Sequence, residues 1–188
     1  MMNRYGCGLA VALAVTFLPA PTSGADDERT FSVGIEVGRD VSAANGQMAR
    51  LIVQKPWKKI WWEDNYWELT GLWEFSVGVW ESDQEPPDDD LLYDAGITPV
   101  FRLVEKGYSG IRWFLEVGIG VHYISEKIFG DRDLSTDFQF GDHLGAGWVF
   151  GPEGRYVLAY RYQHVSNGSI SGENEGIDIQ WVHASCAF

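Results

Sequence analysis

The chain has 188 residues, 45% hydrophobic and 14% aromatic by count, with a mean hydropathy of −0.16, a profile that excludes a bundle of membrane helices and sets one domain as the prior. Asp and Glu number 27 against 14 Lys and Arg, so the formal net charge is −13 and the pI about 4.6, which leaves no broad basic surface for nucleic acid. The 22 glycines point to strands and tight turns, and nine Trp without a long apolar run match the aromatic excess that membrane β-barrels carry at their two interfaces.

The first segment reads as a secretory signal peptide. Arg4 supplies a positive start, Cys7 to Pro19 an apolar stretch broken by Gly8 and Thr16, and Ser23-Gly24-Ala25 the small residues of a cleavage site. The stretch falls short of the ~20 apolar residues that a retained anchor helix would need. Residues 1–25 are therefore expected to be removed, leaving a domain of residues 26–188 that begins Asp26-Asp27-Glu28 outside the inner membrane. Of the two cysteines only Cys186 would survive, so no intramolecular disulfide is expected. With no Cys or acidic neighbour, Cys186 reads as a small apolar residue and not as a nucleophile or metal ligand.

The remaining chain alternates with period two and shows little of the 3.6-residue period of helices. Phe31, Val33, Ile35 and Val37 alternate with Ser32, Gly34, Glu36 and Gly38; Trp73, Phe75, Val77 and Val79 with Glu74, Ser76 and Gly78; Trp113, Leu115, Val117 and Ile119 with Glu116, Gly118 and Gly120. A soluble sandwich also alternates, but its second face meets water. Here the second face carries repeated glycine with Glu, His and Arg, the composition of a narrow barrel interior. The predicted strands are 29–39, 47–56, 66–81, 91–104, 111–124, 138–150, 154–166 and 177–188, an even set of eight, as an outer-membrane barrel requires.

The connections alternate in character as well. Residues 40–46, 82–90, 125–137 and 167–176 are polar and Gly/Asp-rich, whereas the stretch holding Lys106, Gly107 and Gly110 and the stretch Gly151-Pro152-Glu153-Gly154 are tight turns. With a periplasmic N-terminus the longer set lies outside the cell. The stretch Trp57 to Asn65, with Trp61, Trp62, Lys58 and Lys59, fits a short turn poorly and reads as an interfacial excursion. The chain ends on Phe188, resembling the terminal aromatic by which such barrels are recognised for assembly.

On the seventh strand the even positions Tyr156, Leu158, Tyr160 and Tyr162 form the lipid-facing side, and His164 and Ser166 continue that series. On the eighth, the series Phe188, Cys186, Ala184 and Val182 runs back to Gln180 and Asp178. If the loop between them centres near Ser171, His164 lies opposite Asp178, where cross-strand Cβ atoms are about 4.5–5.5 Å apart. A serine, a histidine able to take its proton and a carboxylate that fixes the imidazole tautomer are the parts of an activated nucleophile. His122, His143 and His183 fall on the inward parity and read as lumen histidines.

The stretch His164-Val165-Ser166-Asn167-Gly168, followed by Asn174-Glu175-Gly176-Ile177-Asp178, resembles the signature of the outer-membrane lipid A 3-O-deacylases of the PagL type. The resemblance implies an eight-stranded antiparallel barrel that hydrolyses an ester of lipid A in the outer leaflet. It further implies Ser166 as nucleophile, His164 as general base and Asp178 as acid. Asn167 is similar to the family's oxyanion-side residue, with a backbone N–H near Gly168 or Ser169 as the alternative donor, and Asn174 to a supporting loop asparagine. Asp178 stands where the best-known member has Glu, and Glu173 and Glu175 are neighbouring candidates for the acid. No cofactor or metal is expected, Lys127, Arg132 and Arg102 are the candidate cations for substrate phosphates, and a homodimer is left open. The rival readings are a non-catalytic barrel of the OmpA or OmpX type, a lipid A acyltransferase with an acyl channel through its lumen, and a soluble lectin-like sandwich.

Overall fold

Strict alternation gives each segment one apolar and one small or polar side, and a sheet built from such strands can bury the polar side only by closing on itself. The computed structural model describes residues 31–42, 46–82, 91–107, 110–172 and 174–188. The expected signal at 1–25 and the acidic run Asp88-Asp89-Asp90 lie outside the described residues. The strands are β1 (Ser32–Asp40), β2 (Gly46–Pro56), β3 (Trp62–Glu63), β4 (Trp67–Ser82), β5 (Leu91–Glu105), β6 (Arg112–Ile124), β7 (Ile128–Phe129), β8 (Arg132–Asp133), β9 (Phe138–Phe150), β10 (Tyr156–Ser166) and β11 (Ile177–Ala187). The eight long ones, β1, β2, β4, β5, β6, β9, β10 and β11, pair antiparallel in chain order, and β1 pairs with β11 from Ser32↔Ala187 to Asp40↔Ile179, which closes the barrel. They are the eight segments expected from alternation, shifted at their ends by a few residues.

The lumen is filled. Arg161 reaches Glu36 at 2.7 Å, Glu74 at 2.9 Å and Glu116 at 2.6 Å, Arg102 reaches Glu116 at 2.7 Å, and Arg50 and His122 each reach Asp94 at 3.1 Å. These buried charges meet opposite ones, as burial of ions requires. Arg102 is thus a lumen residue bound to a carboxylate, which corrects its reading as a substrate-phosphate cation. Its inward parity on β5 decides this. Toward the long-loop end a cluster including Met48, Trp80, Ile124, Phe129, Ile177 and Trp181 plugs the barrel, and toward the termini Val104, Phe114, Val149 and Ala159 do the same. The cavity left among the ionic residues is about 10 Å³, room for about one water. No acyl chain passes through such an interior.

Two connections contain more structure than the alternation indicated. The 125–137 loop folds into the β7–β8 hairpin, whose Phe129 is fully buried against Trp80 with ring centroids 5.6 Å apart. The expected excursion after Trp57 turns back on itself, and β3 pairs with the end of β4 that projects past β2. Lys106 reaches back to Glu63 at 2.9 Å, and that carboxylate holds the Lys106 ammonium above its usual range.

Candidate active site

Parity and register together place the site. Along β10 the residues Ala159, Arg161, Gln163 and Val165 are buried, while Leu158, Tyr160 and Tyr162 face outward, and His164 and Ser166 share that outward side. Along β11 the inward residues are Ile177, Ile179, Trp181 and His183, which leaves Asp178, Gln180 and Val182 on the outer wall. His164 pairs directly with Asp178 across the two strands. Imidazole Nδ1 lies 2.7 Å from Asp178 Oδ1, with the two side chains 42% and 34% exposed. With Nδ1–H donating to the carboxylate, Nε2 is left as the acceptor. His122, His143 and His183 are buried inside, as their parity requires.

Ser166 is two residues beyond His164 on the same face, about 6.6 Å along the strand. Its hydroxyl is not hydrogen-bonded to His164 in this structure; such contacts in unliganded sites are often long and tighten when substrate binds. Immediately after Ser166 the chain turns sharply. Gly168 and Ser169 both have positive φ, at 62° and 63°, and the Ile170 N–H returns to the Asn167 carbonyl at 3.2 Å. The Asn167 side chain is fully buried and occupied at both ends, donating to the Ser171 carbonyl at 2.6 Å and accepting from the Ser169 N–H at 2.8 Å. Among the described residues no acceptor meets the backbone N–H of Asn167 or of Gly168.

The loop is tied to its neighbours by the second asparagine. Asn174 donates to the Leu134 carbonyl at 2.7 Å and to Gln139 Oε1 at 3.1 Å, and accepts from the Gly176 N–H at 2.7 Å. Glu175 is drawn toward the other loop, where its carboxylate meets the Asp133 N–H at 3.4 Å, so it does not approach His164. Glu173 lies outside the described residues. Gly176, at φ 66°, sits against the imidazole; a Cβ there would come within 2.8 Å of His164 Cε1. The β1–β2 loop clasps the acid strand, with Val41 N–H donating to the Asp178 carbonyl at 2.8 Å and Asp178 N–H to Ser42 Oγ at 3.4 Å.

Two members of this neighbourhood escaped the sequence reading. Asp142 pairs with His164 from the β9 side, so the histidine stands between two carboxylate-bearing strands. Its signal was present: Asp142 interrupts the outward series Phe138, Phe140, Leu144 and Ala146. Ser42 carried no such signal, because only the closing of β1 on β11 brings it to Asp178. Lys127 and Arg132 belong to the neighbouring loop, each 3.8 Å from an acid, Asp137 and Asp131.

Residues 47–187 match the family described as lipid A 3-O-deacylase (PagL). A Pseudomonas aeruginosa protein named lipid A deacylase PagL is 34% identical over 145 residues, 74% of this chain and 80% of that protein. A Bordetella bronchiseptica protein of the same name is 39% identical over 88 residues, 47% of this chain and 46% of that protein. The crystal structure of the outer membrane enzyme PagL superposes with a TM-score of 0.73 at 27% identity, covering 84% of this chain and 99% of that one. The chain is an outer-membrane β-barrel and belongs to the lipid A 3-O-deacylase (PagL) family.

Proposed function

We propose that this protein is a serine hydrolase that removes the 3-O-linked acyl chain of lipid A from the lipid-facing side of its own barrel. The observation that carries the reading is the 2.7 Å contact between His164 Nδ1 and Asp178 Oδ1 on the outer wall, beside a serine on the same face. A histidine and an aspartate gain nothing by facing acyl chains unless they serve a substrate there, since exposed polar groups in hydrocarbon are costly. The resemblance to proteins named for lipid A deacylation supplies the substrate class.

In this mechanism His164 Nε2 takes the Ser166 hydroxyl proton as Oγ attacks the ester carbonyl. Asp178 steadies the imidazolium that forms. The oxyanion is met by the unoccupied N–H groups of Asn167 and Gly168; the Asn167 side chain shapes the turn that presents them. The sugar hydroxyl leaves with the proton from His164, giving an acyl-serine. Water then attacks with His164 again as base, and the fatty acid departs into the membrane while Ser166 regains its proton. The long loops, and with them the site, belong to the extracellular end, where outer-membrane barrels carry their longer connections. Residues 1–25 act as the cleaved export signal. The chemistry requires no cofactor and no second copy of the chain.

Purified protein incubated with lipid A in mixed micelles should release one hydroxyacyl chain, read by mass spectrometry of the remaining lipid. Ser166→Ala and His164→Ala should lose release by about 10³-fold or more. Full activity in Ser166→Ala, or no release by the wild type, would sink the reading.

A further inference from the structure

The segment after β2 is chemically unlike the rest of the chain. From Lys55 to Trp62 it holds Lys55, Lys58 and Lys59, three of the five lysines, and no acidic residue, in a chain of net charge −13. It does not drop away from the barrel after Pro56. Trp57 N–H donates to the Gly71 carbonyl at 2.8 Å and Trp61 N–H to the Leu69 carbonyl at 2.9 Å, so the segment stays on the edge of β4 beyond the end of β2. The Trp57 ring lies over Gly71, where any Cβ would overlap it. Around it stand Phe101 at 5.1 Å, Trp73 at 5.7 Å and Trp61 at 6.2 Å between centroids, all near edge-on. Asp64 closes the turn by accepting the N–H groups of Tyr66 and Trp67, each at 2.7 Å. The result is a rigid aromatic shelf on the lipid-facing wall, with Ile60, Trp61 and Trp62 still about half exposed.

Two of its cations, Lys55 and Lys59, are placed for one kind of ligand. Lys55 has the outward parity of β2 and pairs in register with Trp73. Lys59 holds its ammonium 3.8 Å from the centre of the Trp61 ring. Neither makes a hydrogen bond or ion pair among the described residues. An ammonium with three N–H donors that rests on an indole face still has donors left for a second acceptor. The shelf lies at the end of the barrel where Trp113, Trp148 and the stacked pair Phe31 and Phe188 also face outward, the level of an interfacial aromatic belt. Two unpaired ammonium groups beside an apolar bed, at head-group depth, match a singly charged phosphodiester attached to a diacylglycerol body.

We propose that Lys55, Lys59 and the Trp57–Trp61–Trp73–Phe101 shelf form a binding site for the phosphodiester head of a glycerophospholipid in the periplasmic leaflet, distinct from the esterase site at the other end. Delipidated protein in mild detergent is titrated with dioleoylphosphatidylglycerol and, separately, with dioleoylglycerol, which has the same chains and no phosphodiester. Binding is read by native mass spectrometry. The wild type should retain the phospholipid and not the diacylglycerol, and Lys55→Gln/Lys59→Gln should weaken retention about 25-fold, a factor of about five for each lysine at a lipid surface. Lys59→Arg should keep it, and heat-modifiable gel mobility should show every variant folded. Equal retention of phosphatidylglycerol by the double variant would overturn the proposal, as would equal retention of dioleoylglycerol by the wild type or displacement of the lipid by an equimolar amount of inorganic phosphate.

Discussion

Replacing Gly176 by alanine tests whether the position of the His164 ring is what the loop is built to maintain. The backbone there has φ of 66°, and an L side chain in that region costs about 1–2 kcal/mol. The new methyl would stand 2.8 Å from His164 Cε1, 3.3 Å from Nε2 and 3.3 Å from the Val165 carbonyl. Carbon contacts are comfortable at about 3.5–4.0 Å, so the ring must retreat by roughly 0.7 Å. Retreat strains the 2.7 Å bond to Asp178 and turns Nε2 away from Ser166. Misplacement of about 1 Å typically costs about 10² in rate, so deacylation should fall about 30- to 100-fold. Gly172→Ala provides the control: its φ is 63°, but its nearest new neighbour is Ser135 Oγ at 3.5 Å, an ordinary contact. It carries the same backbone strain without touching the histidine and should stay within about threefold of wild type. Both variants are assayed for acyl release from lipid A by mass spectrometry, with heat-modifiable mobility confirming the barrel. Equal losses in the two would show that loop strain, and not ring displacement, is responsible, and an unimpaired Gly176→Ala would refute the geometry outright.

Asp178→Asn should lower acyl release by about 10³- to 10⁴-fold, because the amide no longer fixes the tautomer, while Glu175→Gln stays within about threefold; the reverse outcome in a side-by-side rate assay would reassign the acid. Asn174→Ala removes three hydrogen bonds of about 1 kcal/mol each between the two loops and the turn into β11. Limited proteolysis should then cut within 167–176 several-fold faster, with lower activity, and an unchanged digestion rate would contradict the tie. Arg161→Met leaves Glu36, Glu74 and Glu116 without their shared guanidinium and should destabilise the barrel by about 3–5 kcal/mol, read as a lower temperature for loss of heat-modifiable mobility.

Much of this architecture was legible because a small barrel imposes parity on every residue. The lipid face and the lumen cancel in the average hydropathy, yet they separate once odd and even positions are read apart, and the exceptions to the outward series then mark the candidate site. His164, Ser166 and Asp178 are such exceptions. Asp142 obeys the same rule, as the polar break between Phe140 and Leu144 in an otherwise apolar outward series. The clasp from Ser42, the buried commitment of the Asn167 side chain and the β7–β8 hairpin left no periodic trace. They arise where loops meet across the barrel mouth, and contacts between segments as distant as Ser42 and Asp178 depend on closure, which no local pattern encodes. Arg102 shows the opposite failing: its charge drew attention, but its parity already placed it inside.

The filled lumen bears directly on the outer site. Two outward residues of the candidate triad sit between inward neighbours that are fixed from within: Gln163 and Val165 flank His164, and Ile177 and Ile179 flank Asp178. Gln163 Oε1 accepts from Arg50 Nη1 at 2.6 Å and from Trp181 Nε1 at 3.0 Å, while Val165, Ile177 and Ile179 belong to the apolar plug and are fully buried. A strand held on alternate residues cannot slip in register, because a one-residue shift would carry the plug outward and the ionic residues into lipid. His164 and Asp178 are therefore held opposite one another by the strand register itself. Preorganised polar groups of this kind spend no reorganisation energy when charge develops on a substrate. The ionic network thus stiffens the two strands that carry the candidate triad, although none of its members reaches the outer wall.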